Sequence, residues 1–242
     1  VITRSGLSLV LLIFALPAFA HEPNLLDARR ATPGLRLEMH PLPQTANGPD
    51  PRYRLQAFGF PKGIKLLLWS KEFDHSIHQL SSVFQVDKSG NVIASNSGRG
   101  GRPRRLEEMS FDRGPYPRGA RWEVALVSVD RKLQAFAKAI PYPITARDRN
   151  CEIALELVSH RGVKFLASGS GFFPGDEVIT ESRYADRIIV KRARISAEGL
   201  FPPQVILHTA IGADRDARYM VKGSACEVAV DYKWGEPAVV RR

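Results

Sequence analysis

The sequence predicts an all-β protein built as two tandem β-sandwiches behind an export signal, and three observations carry that expectation. Short runs rich in β-branched and aromatic residues alternate with clusters of Gly, Pro, Asn and Asp along nearly the whole chain. No long stretch repeats its apolar residues at helical spacing. A turn motif flanked by strand-like runs occurs twice, as Gly59-Phe60-Pro61-Lys62-Gly63 and Gly171-Phe172-Phe173-Pro174-Gly175, about 110 residues apart.

Residues 7–16 form an apolar run behind Arg4, and Ala18-Phe19-Ala20 supplies the small-x-small pattern of a signal cleavage site, so the mature chain is expected to begin at His21. That run is too short to cross a bilayer, and no other stretch approaches the roughly 20 apolar residues a membrane helix needs. The mature protein is therefore expected to carry no transmembrane segment and to be periplasmic or secreted. No cysteine stands near the cleavage point to take a lipid.

After a Pro-rich lead-in, the candidate strands of the first half are 35–40, 53–60, 64–70, 82–86, 122–129 and 133–140. Those of the second half are 151–159, 164–168, 177–183, 188–195, 204–210, 218–222 and 226–234. About seven short strands in under 100 residues is the pattern of a sandwich. In the repeated turn, Pro presets φ, Gly allows positive φ, and the Phe can tuck beneath as a core plug. Asp87-Lys88-Ser89-Gly90 and Ala197-Glu198-Gly199 occupy similar downstream places as turns. The chain divides near Pro141-Tyr142-Pro143, giving a first domain at 21–145 and a second at 146–242, each large enough to hold a core.

The formal charge is +10, with 35 Lys and Arg against 25 Asp and Glu. Such an excess raises encounter rates with anionic partners without conferring specificity. For an exported chain, envelope polymers then rank ahead of nucleic acid. Cys151 and Cys226 are the only cysteines, and an oxidising compartment makes their disulfide the expectation. They are not spaced as a C-x-x-C redox pair, and zinc would need further ligands nearby.

The segment Gly171-Phe172-Phe173-Pro174-Gly175-Asp176-Glu177-Val178 resembles the G-F-x-P-G-E-x-V turn of bacterial immunoglobulin-like domains in envelope and secreted proteins. The first copy departs from it at Lys62 and Ile64. The resemblance implies immunoglobulin-like β-sandwiches that act as spacers, adhesive modules or carbohydrate-binding modules. It implies no activity.

Among residues that could carry chemistry, His21 would present a free amine and its own imidazole to Cu(II), a donor set suited to a tetragonal copper site. A histidine brace of that kind, in a copper-binding protein or a copper-dependent polysaccharide oxygenase, needs a partner from His40, His75, His78 or His208. The alternative is that His21 merely heads a Pro-rich arm. Asp74-His75-Ser76-Ile77-His78 places two imidazoles and a carboxylate close together, with a solvated loop as the plainer reading. Gly98-Arg99-Gly100-Gly101-Arg102-Pro103-Arg104-Arg105 is the densest basic segment. Guanidinium forks suit phosphate, sulfate and carboxylate groups, so Arg99, Arg102, Arg104 and Arg105 are the expected anion contact, with Arg113, Arg118 and Arg121 as possible extensions. The run Arg187–Arg194 reads as the wet face of a strand. Trp69 and Trp122 sit in apolar runs and are expected in the core, whereas Trp234, at the end of the last strand, is expected partly exposed and able to stack on a sugar.

No G-x-S-x-G elbow, H-E-x-x-H, P-loop or dinucleotide fingerprint is present. A carboxylate pair that meets only in space leaves no linear motif. The expectation is a non-enzymatic binding or structural protein of the cell envelope, its partner an envelope polymer or another protein, with copper the sole cofactor alternative.

Overall fold

The structure, a computed structural model, describes residues 30–43, 50–80, 83–94, 103–209 and 215–240. The export signal, His21, Arg99 and Arg102 lie outside the described residues. In chain order the first half supplies β1 (Arg36–Pro41), β2 (Arg52–Phe58), β3 (Lys65–Lys71), β4 (Ile77–Gln79), β5 (Phe84–Val86), β6 (Val92–Ala94), β7 (Phe111–Asp112), β8 (Trp122–Ser128) and β9 (Gln134–Ala139). The second half supplies β10 (Ile144–Asp148), β11 (Cys151–Leu157), β12 (Lys164–Ser170), β13 (Glu177–Tyr184), β14 (Arg187–Arg194), β15 (Phe201–Leu207), β16 (Asp216–Lys222) and β17 (Glu227–Lys233). Among the described residues, helix is confined to single turns such as Glu236–Val239.

Each half contributes two antiparallel sheets. The first has the orders β1-β2-β7 and β6-β5-β3-β8-β9, with β4 paired to the far end of β3; the second has β10-β11-β12-β15 and β14-β13-β16-β17. The arrangement is sandwich-like and almost wholly β, as its sequence pattern predicts. Alternation is clean where one face meets the core: Cys151, Ile153, Leu155 and Leu157 of β11 are buried and the residues between them are not. That period of two follows from the pleat. Strand β8 departs from it because both of its faces are covered, Ala125 and Val127 packing with Trp69, Ile77 and Phe136 on the side away from the main core.

The repeated turn has the same geometry in both copies. Gly59, Gly63, Gly171 and Gly175 all have positive φ, and Phe60 and Phe172 are buried beneath their turns. At Gly59 a Cβ would overlap the carbonyl oxygen of Gly34, and at Gly171 that of Asn150. Glycine is thus required twice over, by conformation and by close backbone approach.

One continuous apolar core runs through both halves. Between them, Leu157 donates its N–H to the Gly119 carbonyl at 2.8 Å, and Gly119 is itself held by donating to the Tyr142 carbonyl within the first half at 2.7 Å. Ala120 also bridges Leu157 in parallel. Cys151 and Cys226 are bonded, linking β11 in one sheet to the residue before β17 in the other. Strand β10 was not anticipated; it makes β11 the second strand of its sheet in chain order, and it spans residues 145 and 146, where the sequence reading divides the chain. Strands β4, β6 and β7, of two or three residues, are too short to show a period. Strand β15 starts at Phe201, ahead of the expected position 204, and runs through Pro202 and Pro203. It tolerates them because it is the outermost strand of its sheet.

Candidate functional site

The described part of the basic loop is a closed base. Ala94 donates its N–H to the Arg104 carbonyl and Ile93 bridges Arg105, so Ile93 and Ala94 are held beside Arg104 and Arg105. The guanidinium of Arg105 lies 3.4 Å from Glu107, its backbone N–H donates to Glu108, and Arg104 donates to the Glu108 carbonyl. Both side chains are exposed but already engaged with local partners. Arg113 and Arg121 do not extend an anion-binding patch. Arg113 pairs with Glu72 and stacks over Tyr116 at 4.3 Å. Arg121 reaches Glu156 at 2.6 Å and Glu123 at 3.6 Å.

Glu72, Arg121 and Glu156 line a cleft of about 200 Å³, with Lys71 and Glu123, where the β3–β4 turn of the first half faces the β11–β12 turn of the second. Each carboxylate in it has a cation: Glu72 has Arg113, Glu156 has Arg121, and Glu123 has both Arg121 and Lys71. The cleft therefore reads as an electrostatic clasp between the halves. Sequence reasoning missed Glu72, Glu123, Glu156 and His160 because nothing short of the fold brings them together.

The histidines are dispersed. His40, exposed on β1, lies 3.2 Å from Glu38. His75, at positive φ in the β3–β4 turn, faces His160 with ring centroids 6.1 Å apart, and His78 touches the Ser76 hydroxyl. His75 and His78 share no helical face, because the chain enters β4 between them. Among the described residues no group of three or more His, Cys, Asp or Glu is placed to hold a metal ion. His208 is enclosed by Phe165, Tyr184, Tyr232 and Trp234. Its Nε2 lies 2.9 Å from the Tyr232 hydroxyl, and burial pulls its pKa down to about 4. It faces no solvent from which to meet a metal.

Trp122 is in the core, its indole N–H donating to the buried Ser70 hydroxyl at 2.8 Å. Trp69 is half-buried. Trp234 departs from expectation: it is 2% exposed, with Arg215 stacked over it at 4.4 Å. Its ring is closed to a sugar because it forms part of the His208 cage.

The most unusual surface is β14, the sequence Arg-Ile-Ile-Val-Lys-Arg-Ala-Arg. Every residue except Ala193 is exposed, so the strand has two wet faces where one was expected. Ile188 is 60% and Val190 58% exposed, and both project from the same side of the sheet as Ile179. Ile189 points instead toward a groove of about 180 Å³ between β13–β14 and β15, whose lining includes Thr180, Ser182, Lys191 and Tyr219. Monomeric soluble proteins seldom leave such a contiguous apolar run uncovered. Three successive apolar residues inside a basic run were the sequence signal. The failure of alternation marks a strand with no buried side.

Comparison with known protein families and with curated proteins finds no match. Solved structures with detectable likeness include a tetra-tandem repeat from the extending region of a large adhesion protein, at 12% identity and a TM-score of 0.29, covering 83% of this chain and 48% of that one. Another is red sea bream transglutaminase, at 10% identity and a TM-score of 0.24, covering 82% of this chain and 31% of that one. The chain spans about half or less of the solved chains it matches. No helix among the described residues is long and apolar enough to cross a membrane.

Proposed function

We propose that this protein is an exported, non-enzymatic binding protein of the cell envelope, built as two tandem immunoglobulin-like β-sandwiches, that holds an anionic partner on β14. The observation that carries this reading is the exposure of Ile188, Ile189 and Val190 beside Arg187, Lys191, Arg192 and Arg194 on one outermost strand. The +10 formal charge and the Cys151–Cys226 disulfide support the anionic partner and the exported setting. Among the described residues, carboxylates and imidazoles are either paired or dispersed, which favours binding over catalysis.

The test is co-sedimentation of the oxidised mature protein with cell-envelope fractions at low salt and near ~0.5 M salt, where exposed charge attraction is heavily screened. Wild type is expected to sediment and to weaken with salt, and Lys191→Glu/Arg192→Glu/Arg194→Glu to lose binding. Absence of sedimentation at both salt levels would refute the envelope role. Replacing Arg99, Arg102, Arg104 and Arg105 with Ala tests the basic loop separately. Loss of binding there, with the β14 variant unaffected, would move the contact to the loop.

A further inference from the structure

The second-half sandwich is closed along one side and open along the other. On the closed side, β10 lies beside β17, Glu227 donates its N–H to Asp148 at 3.0 Å, and Cys151–Cys226 joins the two sheets. On the open side, β14 and β15 are the outermost strands of their sheets, and among the described residues β14 pairs only with β13.

The direction of the free backbone groups follows from register. Tyr184 and Arg187 flank the two-residue turn Ala185-Asp186 and face each other, which makes them a hydrogen-bonded pair. Alternation makes Ser182 with Ile189, Thr180 with Lys191 and Val178 with Ala193 hydrogen-bonded pairs too. The series continues in the bond from the Ile195 N–H to the Asp176 carbonyl at 2.9 Å. The N–H and C=O groups of Ile188, Val190 and Arg192 therefore point away from β13, toward the open side.

The geometry points to strand addition: we propose that β14 receives an acidic, extended segment of another protein as a further strand of the sheet. This deepens the binding role proposed above and rests on it. An edge of alternating N–H and C=O groups is complementary to another polypeptide backbone. A charged polysaccharide would leave those groups unpaired and would gain nothing from Ile188 and Val190. Charge selects the partner: β14 carries four cations and no acid, and among the described residues only Arg192 has a carboxylate partner, Glu177. Pairing β14 with a second copy would set the cations of two such strands in one ribbon, and like charges facing across a ladder are unfavourable. An incoming strand alternating acidic and apolar residues can cover Ile188 and Val190 with its apolar face while its acids, on the other face, neutralise Arg187 and Lys191.

The test uses the full mature protein and a fluorescent decapeptide that alternates Val and Glu. Its comparison probes are the same peptide N-methylated at alternate backbone amides, a Val–Lys counterpart, and polyglutamate. Wild type is expected to bind the Val–Glu peptide. Affinity should fall about tenfold or more for the N-methylated peptide, which loses several edge hydrogen bonds at unchanged charge, and the Val–Lys peptide should not bind. Val190→Pro removes only an outward N–H, a substitution edge strands tolerate, and should cost a similar factor. Ile188→Lys, which keeps the backbone intact, provides a second variant should Val190→Pro fail to fold, and is expected to weaken binding.

Equal binding of the N-methylated peptide or of polyglutamate would overturn strand addition in favour of charge alone, and so would absence of Val–Glu binding. Envelope co-sedimentation separates this outcome from failure of the broader reading. If wild type and Val190→Pro sediment equally, envelope binding stands and strand addition falls. If the Val–Glu peptide binds as described while wild type does not sediment, strand addition stands and the envelope setting falls.

Discussion

His208 makes folding stability depend on pH in a way that can be worked from its surroundings. The ring is 2% exposed, and four aromatic side chains enclose it. The one polar contact is with the Tyr232 hydroxyl, whose own pKa burial pushes well above the ordinary range. Arg215 lies on Trp234, one wall of the cage. The folded pKa is about 4 against an ordinary 6.5. Because the folded value is depressed, the unfolded chain binds the extra proton first. The stability contribution is complete above pH 6.5 and is lost as pH falls through the window down to about 4. The full loss is about 3 kcal/mol, of which about 2 kcal/mol has gone by pH 5. For a chain of this size that is a fall in Tm of roughly 4–8 °C. The assay is urea or thermal denaturation of the oxidised protein between about pH 7.5 and pH 5, on wild type and on His208→Phe. The variant starts lower, since the Tyr232 hydroxyl loses its partner, but its pH slope over that window should be shallower by the stated amount. Equal slopes in the two proteins would refute the assignment of the buried neutral imidazole.

Other substitutions probe the frame that holds these elements. Breaking the disulfide by Cys151→Ala/Cys226→Ala opens a loop closed over 75 residues and should lower stability by about 4 kcal/mol on the chain-entropy model, read as a shift in denaturation midpoint. Gly171→Ala places a side chain at φ +78 against the Asn150 carbonyl; the conformational cost alone is about 1–2 kcal/mol, so a change below that in urea denaturation would contradict the turn geometry. Trp122→Phe removes the indole N–H that the Ser70 hydroxyl accepts, while Ser70 keeps its bond to Glu72, and should cost about 0.5–1.5 kcal/mol for the hydrogen bond by the same measurement. Glu156→Gln leaves Arg121 without its nearest carboxylate, and increased proteolytic cleavage around 119–121 would be the sign that the clasp holds the two halves.

Much of the fold was legible because β-structure writes itself locally. The alternation Cys151, Ile153, Leu155, Leu157 marks the buried face of β11 without reference to any other strand. The two Gly-Phe-Pro-Gly turns declare their geometry in their composition. What stayed hidden depends on distant partners. Trp234 reads as a strand-end aromatic until Tyr184, His208 and Arg215 close around it, and Arg113 and Arg121 read as surface cations until Glu72 and Glu156 arrive from other strands. The uncovered state of β14 was half legible. Its unbroken Ile-Ile-Val run shows that no face is reserved for the core, but only sheet order shows that β14 is outermost.

The covalent tie between β11 and the start of β17 also decides how tension would travel through the molecule. A pull on the two ends of the chain enters the second half at Cys151 and can leave at Cys226 through the sulfur bridge, bypassing the residues between them. That stretch, 75 residue steps along the chain and roughly 250 Å of contour when extended, is shielded from the load as long as the bridge is oxidised. Strand β14 lies inside that sheltered loop. A partner seated there would keep its grip while the rest of the chain is stretched, and reduction would turn the same segment into slack.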